Sequence, residues 1–224
     1  MSGAIVIGAS GGIGKALVEA LIEEERAVRG FARSFAGADH IDLEDEASIA
    51  AAAARSGSPD LVIVATGLLH EGENGPEKAL RDLDPAWLAR IFAINTIGPA
   101  LIAKHFLPVM PKTGRCVFAV LSARVGSITD NRLGGWHGYR ASKAALNQII
   151  RTIAIEEKRR NDRLIVVGLH PGTVDTALSK PFQRSGRDLF AADRAAVQLL
   201  DVIDDLKAAD SGKVFAWDGA EVPA

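Results

Sequence analysis

Short apolar runs alternate along the chain with longer segments whose apolar positions return every three or four residues. Residues 4–9 (AIVIGA), 60–66 (DLVIVAT), 115–122 (RCVFAVLS) and 163–170 (RLIVVGLH) are the clearest runs. They are rich in β-branched residues, as strands buried on both faces should be. Residues 27–32 and 213–217 are weaker runs of the same kind. Residues 14–25, 45–55, 139–160 and 194–206 read as helices. Residues 85–110 form one long helical stretch, in which Pro99 and Pro108 predict a kink and an end. Strand and helix in alternation predict an α/β fold, a parallel sheet wrapped by helices on both faces. In such sheets ligands bind beyond the carboxyl ends of the strands. No repeat or linker divides residues 1–224, so a single domain is expected. Residues 67–84 and 177–192 read as loops, and loops that long in an α/β domain are more often functional than idle.

Composition removes several classes of function. The formal net charge of −2 leaves no basic excess, so no nucleic-acid partner is expected. The apolar runs are broken by Gly, Thr or charge, so no membrane span is expected. The first ten residues lead directly into a strand-like run, with no basic segment, long apolar core or cleavage site. The single cysteine, Cys116, excludes an internal disulfide and fits a reducing, cytoplasmic setting. His40, His70, His105, His137 and His170 are scattered without ligand spacing, so no metal site is expected.

The chemistry begins at GASGGIG (8–14), between the first strand and the first helix. Gly8, Gly12 and Gly14 allow a tight turn and a close approach of backbone to a pyrophosphate, which then sits on the helix N-terminus. At this junction the pattern predicts dinucleotide binding. An acid at the end of the second strand would bond the adenosine ribose of NAD. Here that strand ends in Ala32, Arg33 and Ser34, and a guanidinium suits a 2′-phosphate. NADP(H) is therefore expected, with NAD(H) the lesser candidate. Asp42 is a candidate adenine contact, or a turn acid. Tyr139, the one tyrosine, stands four residues before Lys143, so both lie on one helix face. An ammonium beside a phenol favours the phenolate, which predicts a lowered tyrosine pKa and a general acid able to serve a carbonyl oxygen.

GASGGIG, VATG (64–67), NTIG (95–98), the Tyr139–Lys143 pair and HPGTVDT (170–176), in this order, resemble the short-chain dehydrogenase/reductase family over essentially the whole chain. GSITDNRLGGWHGYRASKAALN (126–147) and GKVFAWDGAEVPA (212–224) are similar to its C-factor branch, which includes sniffer-type carbonyl reductases. The resemblance implies a Rossmann fold with a doubly wound seven-stranded parallel sheet in the order 3-2-1-4-5-6-7. It implies hydride transfer between a nicotinamide and a ketone, aldehyde or alcohol. Tyr139 matches the acid/base, Lys143 the residue that bonds the nicotinamide ribose and tunes the tyrosine, and Asn95 the residue that holds a water in the proton relay. Gly8, Ser10, Ile13 and Gly14 match the phosphate loop, and Ala65 and Gly67 the adenosine side. Pro171, Gly172, Thr173 and Thr176 match the segment beside the nicotinamide. Homodimers or homotetramers are usual in the family. In one place the chain departs from it: Ala123 occupies the slot of the catalytic serine. Ser122 and Ser127 are the candidates to replace it, with Ser122 preferred. The departure keeps a second reading open, a dinucleotide-binding regulatory or signalling protein with little or no turnover. Leu68, Leu69, Trp136, Leu178 and Phe182 suggest an apolar component to the substrate pocket.

Overall fold

The computed structural model describes residues 3–182 and 189–224. Its centre is one parallel sheet of six strands: β1 (Ala4–Ile7), β2 (Val28–Phe31), β3 (Leu61–Val64), β4 (Cys116–Leu121), β5 (Leu164–His170) and β6 (Val214–Ala216). Their spatial order is β2-β1-β3-β4-β5-β6. Helices α1 (Gly12–Glu23), α2 (Glu46–Ala54), α3 (Pro85–Phe92), α4 (Gly98–Phe106), α5 (His137–Glu157) and α6 (Ala192–Asp205) connect them. Side chains alternate across the sheet, and both faces are apolar. Ile5, Ile7, Val62, Val64, Phe118 and Val120 pack beneath α2, α4 and α5. Ala4, Val6, Leu61, Ile63, Val117 and Ala119 face α1 and α6. A strand covered on both sides has no polar face, which explains the continuous apolar runs in the sequence.

The seventh strand implied by the family resemblance is replaced by a single pairing. Only seven residues separate Ala32 from His40, and three of them, Gly37–Asp39, form a turn of 3₁₀ helix. A parallel neighbour requires a crossover of a dozen or more residues. The chain instead returns at once, and Ala32 makes one parallel bridge to His40. Arg29 lies across this edge, donating to Asp39, to the Ala38 carbonyl and to the Arg55 carbonyl. At the opposite edge the C-terminal segment folds back on β6. Ala216 N donates to the Ala220 carbonyl and Val222 N to the Val214 carbonyl, each at 2.8 Å.

The helical stretch at 85–110 is interrupted earlier than its prolines suggest. A π-helical turn, Ala93–Ile97, joins α3 to α4. Pro99 has no N–H to give the Asn95 carbonyl, so regular α-helical bonding fails one turn before the proline. The expectation that no segment could cross a membrane also needs correcting, because Pro85–Val109 is long and apolar enough to do so. In the fold its apolar side chains are used otherwise: Ile91, Ile102, Ala103 and Phe106 are buried in the core.

Candidate active site

The loop between β1 and α1 is closed by glycines. Gly8 has φ of 92°, and a Cβ there would lie 2.9 Å from the Ala65 carbonyl oxygen. A Cβ on Gly14 would lie 2.1 Å from the Gly8 carbonyl oxygen. Both positions must be bare for the turn to form. Gly8 and Ser10 open onto a cleft of about 300 Å³ whose walls include Arg33, Asp42, Ala65 and Gly67. It lies where the strand order reverses, with β2 on one side of β1 and β3 on the other. The cleft fits the adenosine half of a dinucleotide in three respects. No side chain caps the N-terminus of α1, whose N–H groups can receive an anion. Arg33 places an exposed guanidinium on the wall. Thr66 also lines the cleft, and its Oγ1 is buried without a hydrogen-bond partner.

Asp42 has both of its expected roles available. It lines the cleft, and its Oδ1 accepts from Glu44 N at 3.0 Å to hold a turn. An ion-pair cluster at the same rim was not foreseen. Arg90 grips both oxygens of Glu71 at 3.0 Å and also pairs with Glu44. The guanidinium holds the Glu71 carboxyl below the usual carboxylate range.

The segment after β5 reaches the glycine loop from the other side. Gly172 has φ of 77°, and a Cβ there would meet the Phe190 ring at 2.7 Å. Phe190 N donates to the Thr173 carbonyl, and Asp175 N donates to the Phe190 carbonyl. Phe190 in turn lies edge-on to Trp217. Pinned in this way, the segment from Pro171 delivers Thr176 to Gly12, where a Cβ would be 2.7 Å from Thr176 Cγ2. Ile13 packs with Val174 and Phe190. His170, at the end of β5, has a buried, unpartnered Nδ1, and burial and the charge of Arg124 push its imidazole down to about 4.

The α5 residues meet the cleft at Gly67. A Cβ on Gly67 would lie 3.8 Å from Asn95 Oδ1 and 3.9 Å from Lys143 Nζ. Lys143 is 3% exposed and donates to the Leu121 carbonyl at 2.8 Å, at the end of β4. Gly126 makes this approach possible, since a Cβ there would lie 2.8 Å from the Lys143 carbonyl carbon. Asn95, fully buried, accepts from Leu68 N at 2.7 Å and donates to the Leu68 carbonyl at 2.8 Å and to Ser142 Oγ at 3.1 Å. Its amide is thus committed to positioning the chain after β3.

Tyr139 lies in an apolar cluster with Leu69, Trp87, Ile91 and Ala123, flanked by Leu68, Trp136, Leu178 and Phe182. The Phe182 ring stands 5.6 Å from both His70 and Trp136, and residues 183–188 of the expected substrate loop lie outside the described residues. The expected lowering of the tyrosine pKa is reversed in this environment. The Lys143 ammonium is 5.9 Å from the ring centroid. Burial dominates, and pushes the phenol up to about 12 and the ammonium down to about 8.

Both candidate serines have hydroxyls engaged by other parts of the chain. Ser122 Oγ donates to Asn147 Oδ1 at 2.6 Å. Asn147 lies eight residues beyond Tyr139 in α5, about 12 Å along the helix axis. Side-chain alternation turns Ser122 to the packed side of the strand end and leaves Ala123 beside Tyr139. Ser127 accepts from Asp130 N and donates to the Ala224 carbonyl. Sequence reasoning also missed Glu77, whose Oε2 accepts from Gly138 N at 3.0 Å. It sits in a stretch with Glu71 and Glu73, and nothing in that charged run separates a buried carboxylate from a solvated one.

The chain resembles known proteins over most of its length. Residues 2–187 match the family model described as short chain dehydrogenase. The chain is 37% identical to the C-signal of Myxococcus xanthus over 152 residues, which cover 68% of this chain and 87% of that one. It is 30% identical to 1-hydroxy-2-glutathionyl-2-methyl-3-butene dehydrogenase of Rhodococcus sp. (strain AD45), over 98% of each chain. The NADPH-bound carbonyl reductase from chicken fatty liver superposes with a TM-score of 0.83 at 24% identity, covering 100% of this chain and 94% of that one.

The buried pair gives stability a signature in pH. Between about pH 8 and 10.5 the folded chain releases the Lys143 proton that the unfolded chain still holds, so this group adds stability as pH rises. Between about pH 10 and 12 the unfolded chain releases the tyrosine proton that the folded chain keeps, so the contribution of Tyr139 is lost. Each swing is roughly 3 kcal/mol at 1.36 kcal/mol per pKa unit. Urea unfolding across this range should show the upper loss in the wild type and a flatter profile in Tyr139→Phe. Equal profiles would contradict the buried environment described.

Proposed function

The chain belongs to the short-chain dehydrogenase family, and on that premise we propose that it is an NADP(H)-dependent oxidoreductase acting between a ketone or aldehyde and the corresponding alcohol. One observation carries the reading. Lys143 Nζ and Asn95 Oδ1 both stand beside Gly67 on the cleft wall, with the Tyr139 ring 5.9 Å from that ammonium. When bound, the dinucleotide supplies or takes up the hydride. The protein's own groups do the rest. Gly8, Ser10, Gly12, Ile13 and Gly14 form the anion-binding turn at α1. Arg33 pairs with the 2′-phosphate, and no carboxylate at the end of β2 competes for the ribose. Ala65 and Gly67 bound the adenosine side, while Pro171, Gly172, Thr173 and Thr176 bound the nicotinamide side. Tyr139 gives its proton to the carbonyl oxygen as negative charge develops there, and in the reverse direction takes it from the alcohol. Burial keeps the phenol protonated and able to donate, and Lys143 would bond the nicotinamide ribose. Leu69, Trp136 and Phe182 offer the organic part of the substrate an apolar wall. The NADPH of the chicken carbonyl reductase supports the choice of dinucleotide.

A second reading is favoured by Ala123 and by the likeness to a protein called C-signal. In it, the chain binds a dinucleotide and acts as a regulatory or signalling protein without significant turnover.

Steady-state assays of a carbonyl panel with NADPH separate the two readings. Under the first, Tyr139→Phe abolishes reduction while NADPH binding, measured by fluorescence titration, stays within a few-fold of wild type. Full activity in that variant would overturn the acid/base assignment, and no turnover of any carbonyl by the wild type would favour the second reading.

Cofactor choice has its own test. Arg33→Asp should weaken NADPH binding and relatively favour NADH. A wild type that binds both equally contradicts the assignment.

The missing serine supplies the last expectation. Ala123 offers the carbonyl oxygen no donor, and one such donor contributes roughly a hundredfold or more in rate. Ala123→Ser, beside Tyr139, should raise kcat/KM on a simple carbonyl by about tenfold or more. No change would mean that a backbone group or a water already fills the role.

A further inference from the structure

Glu77 belongs to the loop at 67–84, yet it is only 4% exposed. Its main-chain carbonyl accepts from Trp136 N at 2.5 Å, and its Oε2 accepts from Gly138 N at 3.0 Å. Its Oε1 is buried with no hydrogen-bond partner. Oε1 lies close to Gly138, where a Cβ would be 2.8 Å from it, 2.9 Å from Leu88 Cδ2 and 3.3 Å from Ile91 Cγ2. A buried carboxylate with one oxygen unbonded is a costly way to cap a helix. A serine or aspartate at the N-cap would do the same with less desolvation. The chain has Trp136 there instead, without a side-chain capping bond, and no acid in the first turn of α5. The anion that a helix N-terminus favours comes from a residue 61 positions away.

The two contacts bracket His137 and control what lies on either side. Trp136 is held at φ 53° and ψ 43°, a left-handed conformation that bulky residues rarely adopt. Its ring is 6.2 Å from that of Tyr139 and 5.6 Å from that of Phe182. Tyr139 follows Gly138 directly. We propose that Glu77 is a positioning residue, a two-point clamp on the start of α5 that fixes Tyr139 and Trp136 in their working geometry. It acts through the main chain of Trp136 and Gly138. The inference rests on the reading of Tyr139 as the acid/base, and its test includes a measurement independent of turnover.

Glu77→Ala removes the acceptor for Gly138, Glu77→Gln keeps one, and Glu77→Asp retracts the carboxylate by one methylene. With NADPH and a simple carbonyl, the alanine variant should lose roughly a hundredfold in kcat, the scale of an ångström's misplacement. NADPH affinity should stay within about threefold, because the effect falls on the reacting geometry. Glu77→Gln should recover to within about tenfold of wild type, since its amide oxygen still accepts. Because the chain has one tyrosine, ¹³C-labelled tyrosine gives a single resonance that reports Tyr139 directly. That resonance should move or split in the alanine variant and keep its place in the glutamine variant. If the alanine variant does not fold, Glu77→Asp takes its place with the same expected shift. An unmoved resonance with wild-type kcat in the alanine or aspartate variant overturns the clamp. So does a glutamine variant as impaired as the alanine one, because the acceptor would then be irrelevant. If the wild type reduces no carbonyl, the reaction proposed above fails, and the tyrosine resonance still decides the clamp.

Discussion

The site depends on the amide of Asn95. It bonds both the N–H and the carbonyl of Leu68, and it also reaches Ser142 in α5. Three separate pieces of chain therefore meet at one buried side chain: the loop leaving β3, the π-helical turn between α3 and α4, and the helix that carries Tyr139 and Lys143. Thr96 adds a bond from the same turn to the Ser142 carbonyl at 2.9 Å. An amide can do this because it carries donors and an acceptor on one rigid plane, and it is buried without loss because its bonds to Leu68 and Ser142 replace those to water. The helical irregularity is part of the same device. Pro99 cannot bond the Asn95 carbonyl, and the turn that results sets Asn95 toward Leu68.

Much of this was legible in the sequence, for reasons that differ by element. Strands covered on both faces leave unbroken apolar runs, so β1, β3, β4 and β5 could be read directly. The glycine loop was legible because glycine is obligatory where backbone meets backbone, as at Gly8 and Gly14. Other features depend on partners distant in sequence. The edge pairing of Ala32 with His40 follows from a connection too short for a helix, a length the family pattern does not carry. Ser122 was assigned to the site by proximity in the chain, whereas strand alternation turned it to Asn147. Glu77 is buried where it meets the start of α5, and its partners Trp136 and Gly138 are far from it in sequence.

The Tyr139–Lys143 pair shows how spacing and environment separate. Spacing placed both groups on one helix face, as the structure has them. Their ionisation is governed by what surrounds them, and the surroundings are apolar: Leu69, Trp87, Ile91 and Ala123 about the ring, and the Leu121 carbonyl as the lysine's partner. In this dry setting each group is driven toward its neutral form. The same exclusion of water strengthens any charge interaction formed there.

The treatment of the two sheet edges bears on a different property. An open edge strand offers unpaired amides on which another chain can build. Beside β2 the chain returns for one bridge and Arg29 spans the gap to Asp39, Ala38 and Arg55; beside β6 the folded-back segment takes up the bonding groups of Val214 and Ala216. Intermolecular strand addition, the first step of fibrillar aggregation, is thus obstructed at both ends of the sheet by short covers and a charge. A parallel sheet of apolar strands, slow to assemble and rich in β-branched residues, is the kind of structure that needs such protection once folded.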